Sequence, residues 1–245
     1  MSAVRDGSPE VIRRFIDRGN VQYRFHDTPL TFFAAGRDDV DVLNVLFEFG
    51  ADKAWTDASG HSLLGYAVTI DAWRVVEALL KDDGDASGEL TQMTHLEFAV
   101  IYGSIPMIEL LLRYEANPID SSGRHFLLTA IRQGHLTSST AQCLFSNGAY
   151  ARHQGATDAL LLAIIDGKKL LAETFLNNGA DANGLSADVP LLCHILRRED
   201  FESANLLLRY GADVDIRVFG ARLLQMPVLY KKPAVAQWLK QNGAH

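Results

Sequence analysis

The sequence has little cysteine and no long apolar run. Its 245 residues include two cysteines, Cys143 and Cys193, too few for a disulfide framework and too far apart for a CxxC metal or redox site. We expect both to be reduced and buried. No apolar run approaches the roughly 18 residues that cross a bilayer, and the N-terminus has no apolar signal core. We therefore expect a cytoplasmic protein that does not bind a membrane.

Basic charge is also scarce. Lys and Arg number 23 against 30 Asp and Glu, a formal net charge of -7. Nucleic acid and anionic membranes both require a basic face that displaces counterions, so we expect neither as a partner. Residues 1–119 carry 10 basic and 19 acidic side chains, whereas residues 120–245 carry 13 and 11. The acidic half is the first, and it favours a basic partner.

Motifs for catalysis and metal binding are missing. The sequence contains no Gly-rich phosphate loop, no GxSxG elbow and no HExxH pair. Cys193 and His194 are adjacent, but neighbours on a helix point about 100° apart and do not easily share a metal. We expect no metal, no cofactor and no enzyme activity. The alternative left open is an enzyme whose site surrounds His61, His95 and Arg124.

What the sequence does contain is an internal repeat. A pair of apolar residues followed by a small turn recurs, with anchors at positions 19, 50, 83, 115, 148, 179, 211 and 243. The anchors lie 31 to 33 residues apart, and so constant a period indicates a stacked repeat architecture. Each repeat also opens alike, as in Thr28-Pro29-Leu30 and Thr94-His95-Leu96, and continues with two helical stretches.

A repeat with an opening turn, two helices and a Gly-Ala-Asp loop, as at Gly179-Ala180-Asp181, resembles the ankyrin repeat. The resemblance implies an all-α fold, an ankyrin-type α-solenoid of about seven helix-turn-helix repeats plus an N-terminal half repeat, without β-sheet. It also implies a single domain. The expected capping remnant spans 1–20, and the repeats span about 21–52, 53–85, 86–117, 118–150, 151–181, 182–213 and 214–245.

Two departures from the family pattern bear on stability. Glycine ends the outer helix in most repeats, because a positive φ there brings no Cβ clash. Asp83 and Glu115 replace it in two repeats, so we expect strained or differently shaped exits there. The histidine that usually follows Thr-Pro-Leu is replaced, for example by Thr31 and Gly65, so its hydrogen-bond network is expected to be absent. The stack should be less stable than a consensus array.

The resemblance also indicates where a partner would dock. Ankyrin-type proteins usually bind on the concave side, through the turn "fingers" before each inner helix and through that helix's exposed end. Carried onto this chain, the candidate partner-binding residues are Arg24, Phe25, Trp55, Ser59, His61, Ile70, Leu90, Met93, Tyr102, Arg124, Arg132, Phe219 and Tyr230. Interface centres favour aromatic and Met side chains, whereas exposed fingers are usually polar. The alternative is that the apolar finger residues fold back between neighbouring repeats.

The expected function is a non-catalytic protein-protein interaction module that binds and sequesters or inhibits one protein partner. The sequence is similar to bacterial ankyrin proteins, including those encoded beside secreted toxins, which suggests an immunity protein that neutralises a cognate toxin. A scaffold, an adaptor or a host-directed effector in a larger complex is the alternative. We expect a monomer when unbound, with a basic partner on the concave face of the first three repeats.

Overall fold

The computed structural model describes residues 7–16, 20–22, 24–25, 27–57, 59–90, 93–117, 126–147, 154–218, 220–226 and 231–245. The chain divides into two compact units, an N-terminal unit (Met1–Ser121) and a C-terminal unit (Ser122–His245). Both are built from short helices joined by tight turns.

The described part of the N-terminal unit contains one leading helix and three helix-turn-helix pairs. Its helices are α1 (Pro9–Phe15), α2 (Leu30–Ala35), α3 (Val40–Glu48), α4 (Leu63–Thr69), α5 (Trp73–Lys81), α6 (His95–Tyr102) and α7 (Ile105–Arg113). The inner helices α2, α4 and α6 pack side by side, and the outer helices α1, α3, α5 and α7 form a second layer. This is the two-layer arrangement that the repeat period predicts.

Outer helix α7 shows why these segments are helical. Ser104 caps its first turn, since its Oγ accepts a hydrogen bond from the backbone N–H of Met107, which would otherwise lack a partner. Pro106 lies in that first turn, where a missing N–H costs nothing. The helix buries Met107, Ile108, Leu110 and Leu111 on one face and exposes Ile105 and Glu109, which is the amphipathic pattern of a packed outer helix.

The C-terminal unit continues the same pattern. It contains α8 (Phe126–Arg132), α9 (Ser138–Ser146), α10 (Gln154–Ile165), α11 (Lys169–Asn177), α12 (Leu191–Arg197), α13 (Phe201–Arg209), a 3-10 turn (Leu223–Gln225) and α14 (Pro233–Gln241). Helix α10 packs against both α8 and α11, and α12 packs against α13. In the last repeat, the 3-10 turn is the described part of the segment where an inner helix was expected.

Short hairpins form at the fingers. The paired strands are β1 (Arg24–Phe25) with β2 (Thr28–Pro29), β3 (Glu89–Leu90) with β4 (Met93–Thr94), β5 (Leu185–Ser186) with β6 (Val189–Pro190), and β7 (Arg217–Val218) with β8 (Ala221–Arg222). All four pairs are antiparallel, and they satisfy backbone groups that precede the inner helices. The all-α class is confirmed, whereas the expectation of a fold without β-sheet is wrong, because these two-residue hairpins form at the fingers.

The strained exits are confirmed. Asp83 and Glu115 have φ angles of 64° and 61°, in the left-handed region that Gly50 and Gly211 occupy at equivalent positions with φ angles of 92° and 85°. A side chain in this region costs on the order of 1–2 kcal/mol, because the Cβ approaches the following carbonyl. These two exits therefore reduce the stability of the N-terminal unit.

Candidate interaction surface

Trp55 lies on its finger but is not fully presented to solvent. Its indole is half-buried and meets the Phe32 ring edge-on, with the ring centroids 5.0 Å apart. The guanidinium of the exposed Arg24 lies 5.3 Å from the indole centroid on the neighbouring finger, within the range of a cation–π interaction. Arg24 and Trp55 therefore form one joint surface, whose apolar base folds back onto the inner helices.

The structure buries Leu90, which the sequence analysis placed among the partner contacts. Its side chain is buried, because successive residues of a strand point to opposite faces, and Glu89 takes the exposed face of β3. Leu90 fills the space left by Gly65, where an added Cβ would lie only 2.6 Å from the Leu90 Cδ2. Leu90 is thus not available to a partner, while Met93, opposite it in the hairpin, remains half-buried.

Ser59 and His61 belong to a turn closed by Asp57. Its Oδ1 accepts hydrogen bonds from the backbone N–H of Ser59 at 2.8 Å and of His61 at 2.9 Å, and its Oδ2 lies 3.1 Å from the His61 Nδ1. Burial acts to raise the pKa of Asp57, but the two backbone hydrogen bonds and the imidazole outweigh it and lower that pKa. The side chain of His61 is engaged in holding the finger, and Ser59 is exposed at its tip.

Among the predicted apolar residues whose side chains are described, those at the ends of the inner helices are the most exposed. Ile70, after α4, is 41% exposed, and Tyr102, the last residue of α6, is 58% exposed. The adjoining turns are tied together, since Ser104 Oγ donates a hydrogen bond to Asp71 Oδ1 at 2.9 Å. Helix α4 has seven residues, so this edge lies about 10 Å from the fingers, at 1.5 Å per residue.

Two exposed residues beside Ile70 and Tyr102 were missed by the sequence analysis. Trp73 and Ile105, the first residues of α5 and α7, are 44% and 38% exposed. The available signal was a large apolar residue at the start of an outer helix, where α9 and α11 have Ser138 and Lys169. Both residues lie on outer helices, whereas the geometry carried over from the ankyrin repeat places contacts on fingers and inner helices.

The remaining predicted residues belong to the C-terminal unit or have no described side chain. Arg132 is exposed at the end of α8 in the C-terminal unit. Arg124, Phe219 and Tyr230 lie outside the described residues, as does the side chain of Phe25, whose backbone is part of β1. Their role in binding stays a prediction.

His95 is buried within the N-terminal unit. Burial lowers the pKa of its imidazole, although the backbone oxygens of Asp85 and Ala86 and the charge of Asp85 act in the opposite direction. The ring lies against Gly65 and Gly88, where an added Cβ would approach its Nε2 to 3.5 Å and its Cε1 to 2.8 Å. A ring enclosed in this way packs the base of the finger.

The described residues also bear on metal binding and membrane insertion. No group of three or more His, Cys, Asp or Glu side chains in the described ranges is placed to hold a metal ion. None of the helices placed in the structure has both the length and the apolar character needed to cross a membrane.

No protein-family model and no curated protein matches the chain. Solved structures do match it. The human ASB11 ankyrin repeat domain is 21% identical, with a TM-score of 0.61, over 88% of this chain and 98% of that one. The ankyrin repeat domain of Bcl-3, an IkappaB protein family member, is 19% identical, with a TM-score of 0.67, over 86% and 97%. An ankyrin repeat domain from Acinetobacter baumannii AYE is 22% identical, with a TM-score of 0.61, over 75% and 98%. The chain has the ankyrin repeat fold.

Proposed function

We propose that this protein is a non-catalytic protein-binding module and that its partner is basic. The observation that carries the proposal is the coincidence of exposed apolar helix ends, Ile70 and Tyr102, with the acidic N-terminal unit. Aromatic and aliphatic residues at an interface centre supply affinity. A surrounding field of one sign accelerates encounter with a partner of the opposite sign.

Several basic side chains of the N-terminal unit are already paired with carboxylates of the same unit, which supports a basic partner. Among the described residues, carboxylates on the same unit pair with several of them: Arg13 with Glu48, Arg37 with Asp39, Lys53 with Asp82, and Lys81 with Glu77. Residues 1–119 contain 19 acidic and 10 basic side chains, so a clear acidic excess remains after such pairing. A basic surface would neutralise that excess on binding.

In this proposal the contacts on the finger side are Arg24, Trp55 and Met93, and those on the helix-end side are Ile70 and Tyr102. We infer that binding sequesters or inhibits the partner in the cytoplasm, and that this protein is a monomer when unbound. Neutralisation of a cognate toxin by an immunity protein is the specific form that the resemblance to bacterial ankyrin proteins favours.

The test is a quantitative pull-down from the source cells, followed by calorimetry with the captured protein. Tyr102→Ala should weaken binding by at least about 1–2 kcal/mol, as interface aromatics typically do, and affinity should fall as salt is added. Leu170→Ala is the matched control, since Leu170 is 69% exposed but lies in the C-terminal unit. Equal affinities for the two variants, or an acidic partner, would contradict the proposal.

A further inference from the structure

Four large apolar side chains lie together at the turns between inner and outer helices in the second and third repeats. They are Ile70, Trp73, Tyr102 and Ile105, which we call the turn-edge patch; each is between 38% and 58% exposed. The two turns are adjacent, because α4 packs against α6, α5 packs against α7, and Ser104 donates its hydrogen bond to Asp71. The patch therefore spans two neighbouring repeats.

The turns that carry the patch are held in place by carboxylates. Asp71 has a positive φ of 58°, its backbone oxygen accepts from the Trp73 N–H at 2.9 Å, and its side chain binds Ser104. Asp38, at the same place one repeat earlier, accepts from the backbone N–H of Val75 at 2.9 Å. A surface fixed by such bonds loses little conformational entropy when it binds.

Acidic groups lie one helical turn beyond the patch. Glu77 and Glu109 follow Trp73 and Ile105 by four residues, a spacing that places each pair on one helix face. Glu109 is exposed, whereas Glu77 is half-buried and pairs with Lys81 at 3.0 Å. Each outer helix thus presents an apolar residue and then a carboxylate along the same line.

The patch already contacts one cation. The guanidinium of Arg74 lies 5.2 Å from the ring centroid of Trp73, which is cation–π distance. The same chemistry would favour a partner's Lys or Arg over the exposed ring of Tyr102. Apolar contact, aromatic faces and flanking carboxylates together favour a partner segment that carries both apolar and basic side chains.

We propose that the turn-edge patch docks a basic protein segment with large apolar side chains, whose Lys or Arg residues reach the exposed Glu109. This inference rests on the proposed function and deepens it, because it centres the contact on the helix ends rather than the fingers and adds Trp73 and Ile105 of the outer helices. Trp73 and Ile105 become specificity-determining residues that the finger geometry does not include.

The experiment uses Trp73 as its reporter. The chain has three tryptophans, so the full-length Trp55→Phe, Trp238→Phe variant retains only Trp73. The probe is a Trp-free amphipathic helical peptide of Leu and Lys, compared with the same peptide carrying Glu in place of Lys. The Leu/Lys peptide should shift the Trp73 emission to shorter wavelength and protect it from acrylamide quenching. Equal binding of the Leu/Glu peptide would overturn the proposal.

Substitutions in the original chain locate the binding, measured by anisotropy of the labelled Leu/Lys peptide. Ile105→Ser should weaken it about fivefold or more, as loss of an interface anchor does, while Leu170→Ser leaves it unchanged. Glu109→Gln should weaken it about twofold or more, whereas Glu115→Gln, the same charge change at the other end of α7, should not. Equal effects within either pair would refute the patch as the site.

Two further measurements separate this inference from the proposed function. If the natural partner loses affinity with Trp55→Ala but binds Trp73→Ser and Ile105→Ser normally, the patch is refuted and the protein-binding function stands. Sedimentation velocity of the free protein tests the other occupant, a second copy of the chain. A dimer that Ile105→Ser dissociates would overturn the assignment of the patch to a basic partner segment.

Discussion

Shortening Leu111 to alanine tests whether the helix pairs stabilise one another. Leu111 is fully buried in α7, and α7 packs against α5 and α6. The substitution removes about three carbons of buried side chain, which at about 0.8 kcal/mol for each buried CH2 gives about 2 kcal/mol of lost transfer free energy. The cavity left behind adds to this, so we expect a total loss of about 2–5 kcal/mol.

Urea unfolding of the full chain, followed by circular dichroism, measures the loss. Leu170→Ala is the control, because a highly exposed side chain in α11 should change the free energy of unfolding by less than about 0.5 kcal/mol. Hydrogen exchange adds the local information. Amides of α5 and α6 should lose protection together with those of α7, because each repeat buries its apolar face only against its neighbours.

Two results would refute this reasoning. An unfolding midpoint equal to that of the unsubstituted chain would show that Leu111 contributes nothing to the core. Loss of protection confined to α7 would show that the repeats open independently. In either case the turn-edge patch could not be treated as a surface fixed across two repeats.

Two further perturbations test the strained and buried groups. Burial lowers the pKa of His95 from its ordinary 6.5, so below pH 6.5 the unfolded chain binds a proton that the folded ring does not. The free energy of unfolding should therefore be at its full value above that pH and fall as the pH drops. In urea titrations between about pH 5 and 7, His95→Gln should make this fall less steep. Glu115→Gly should raise the free energy of unfolding by about 0.5–1 kcal/mol, because it relieves a positive φ. Gly50→Ala, in open space at φ 92°, should lower that free energy. Changes of the same sign for the two substitutions would contradict the strain argument.

The fold was predictable because the repeat period and the residues that end each helix can be read from short stretches of sequence. Anchors every 31 to 33 residues define the helix pairs, and the absence of glycine at Asp83 and Glu115 was enough to predict strained exits. The hairpins were not predictable by the same means, because strands of two residues have too few positions to show an alternating pattern.

The candidate site was less predictable, because exposure depends on neighbouring repeats. Leu90 was assigned to a finger surface, but Gly65 in the preceding repeat leaves a space that Leu90 fills. Trp55 folds onto Phe32 for a comparable reason, since an aromatic ring lies within reach on the inner helix. Ile70 and Tyr102 were placed correctly at exposed helix ends, whereas Trp73 and Ile105 required the outer helices to be considered as well.

The distribution of apolar surface separates two modes of recognition. On the described fingers of the second and third repeats, the apolar side chains of Leu90, Trp55 and Met93 are wholly or half-buried, so what remains outside there is mostly polar and charged. At the turn edge, Trp73 and Tyr102 expose their rings. Charged groups set the rate of encounter, whereas exposed apolar anchors set the rate of dissociation. Finger substitutions should therefore act mainly on the association rate, and turn-edge substitutions mainly on the dissociation rate, of any partner that contacts both.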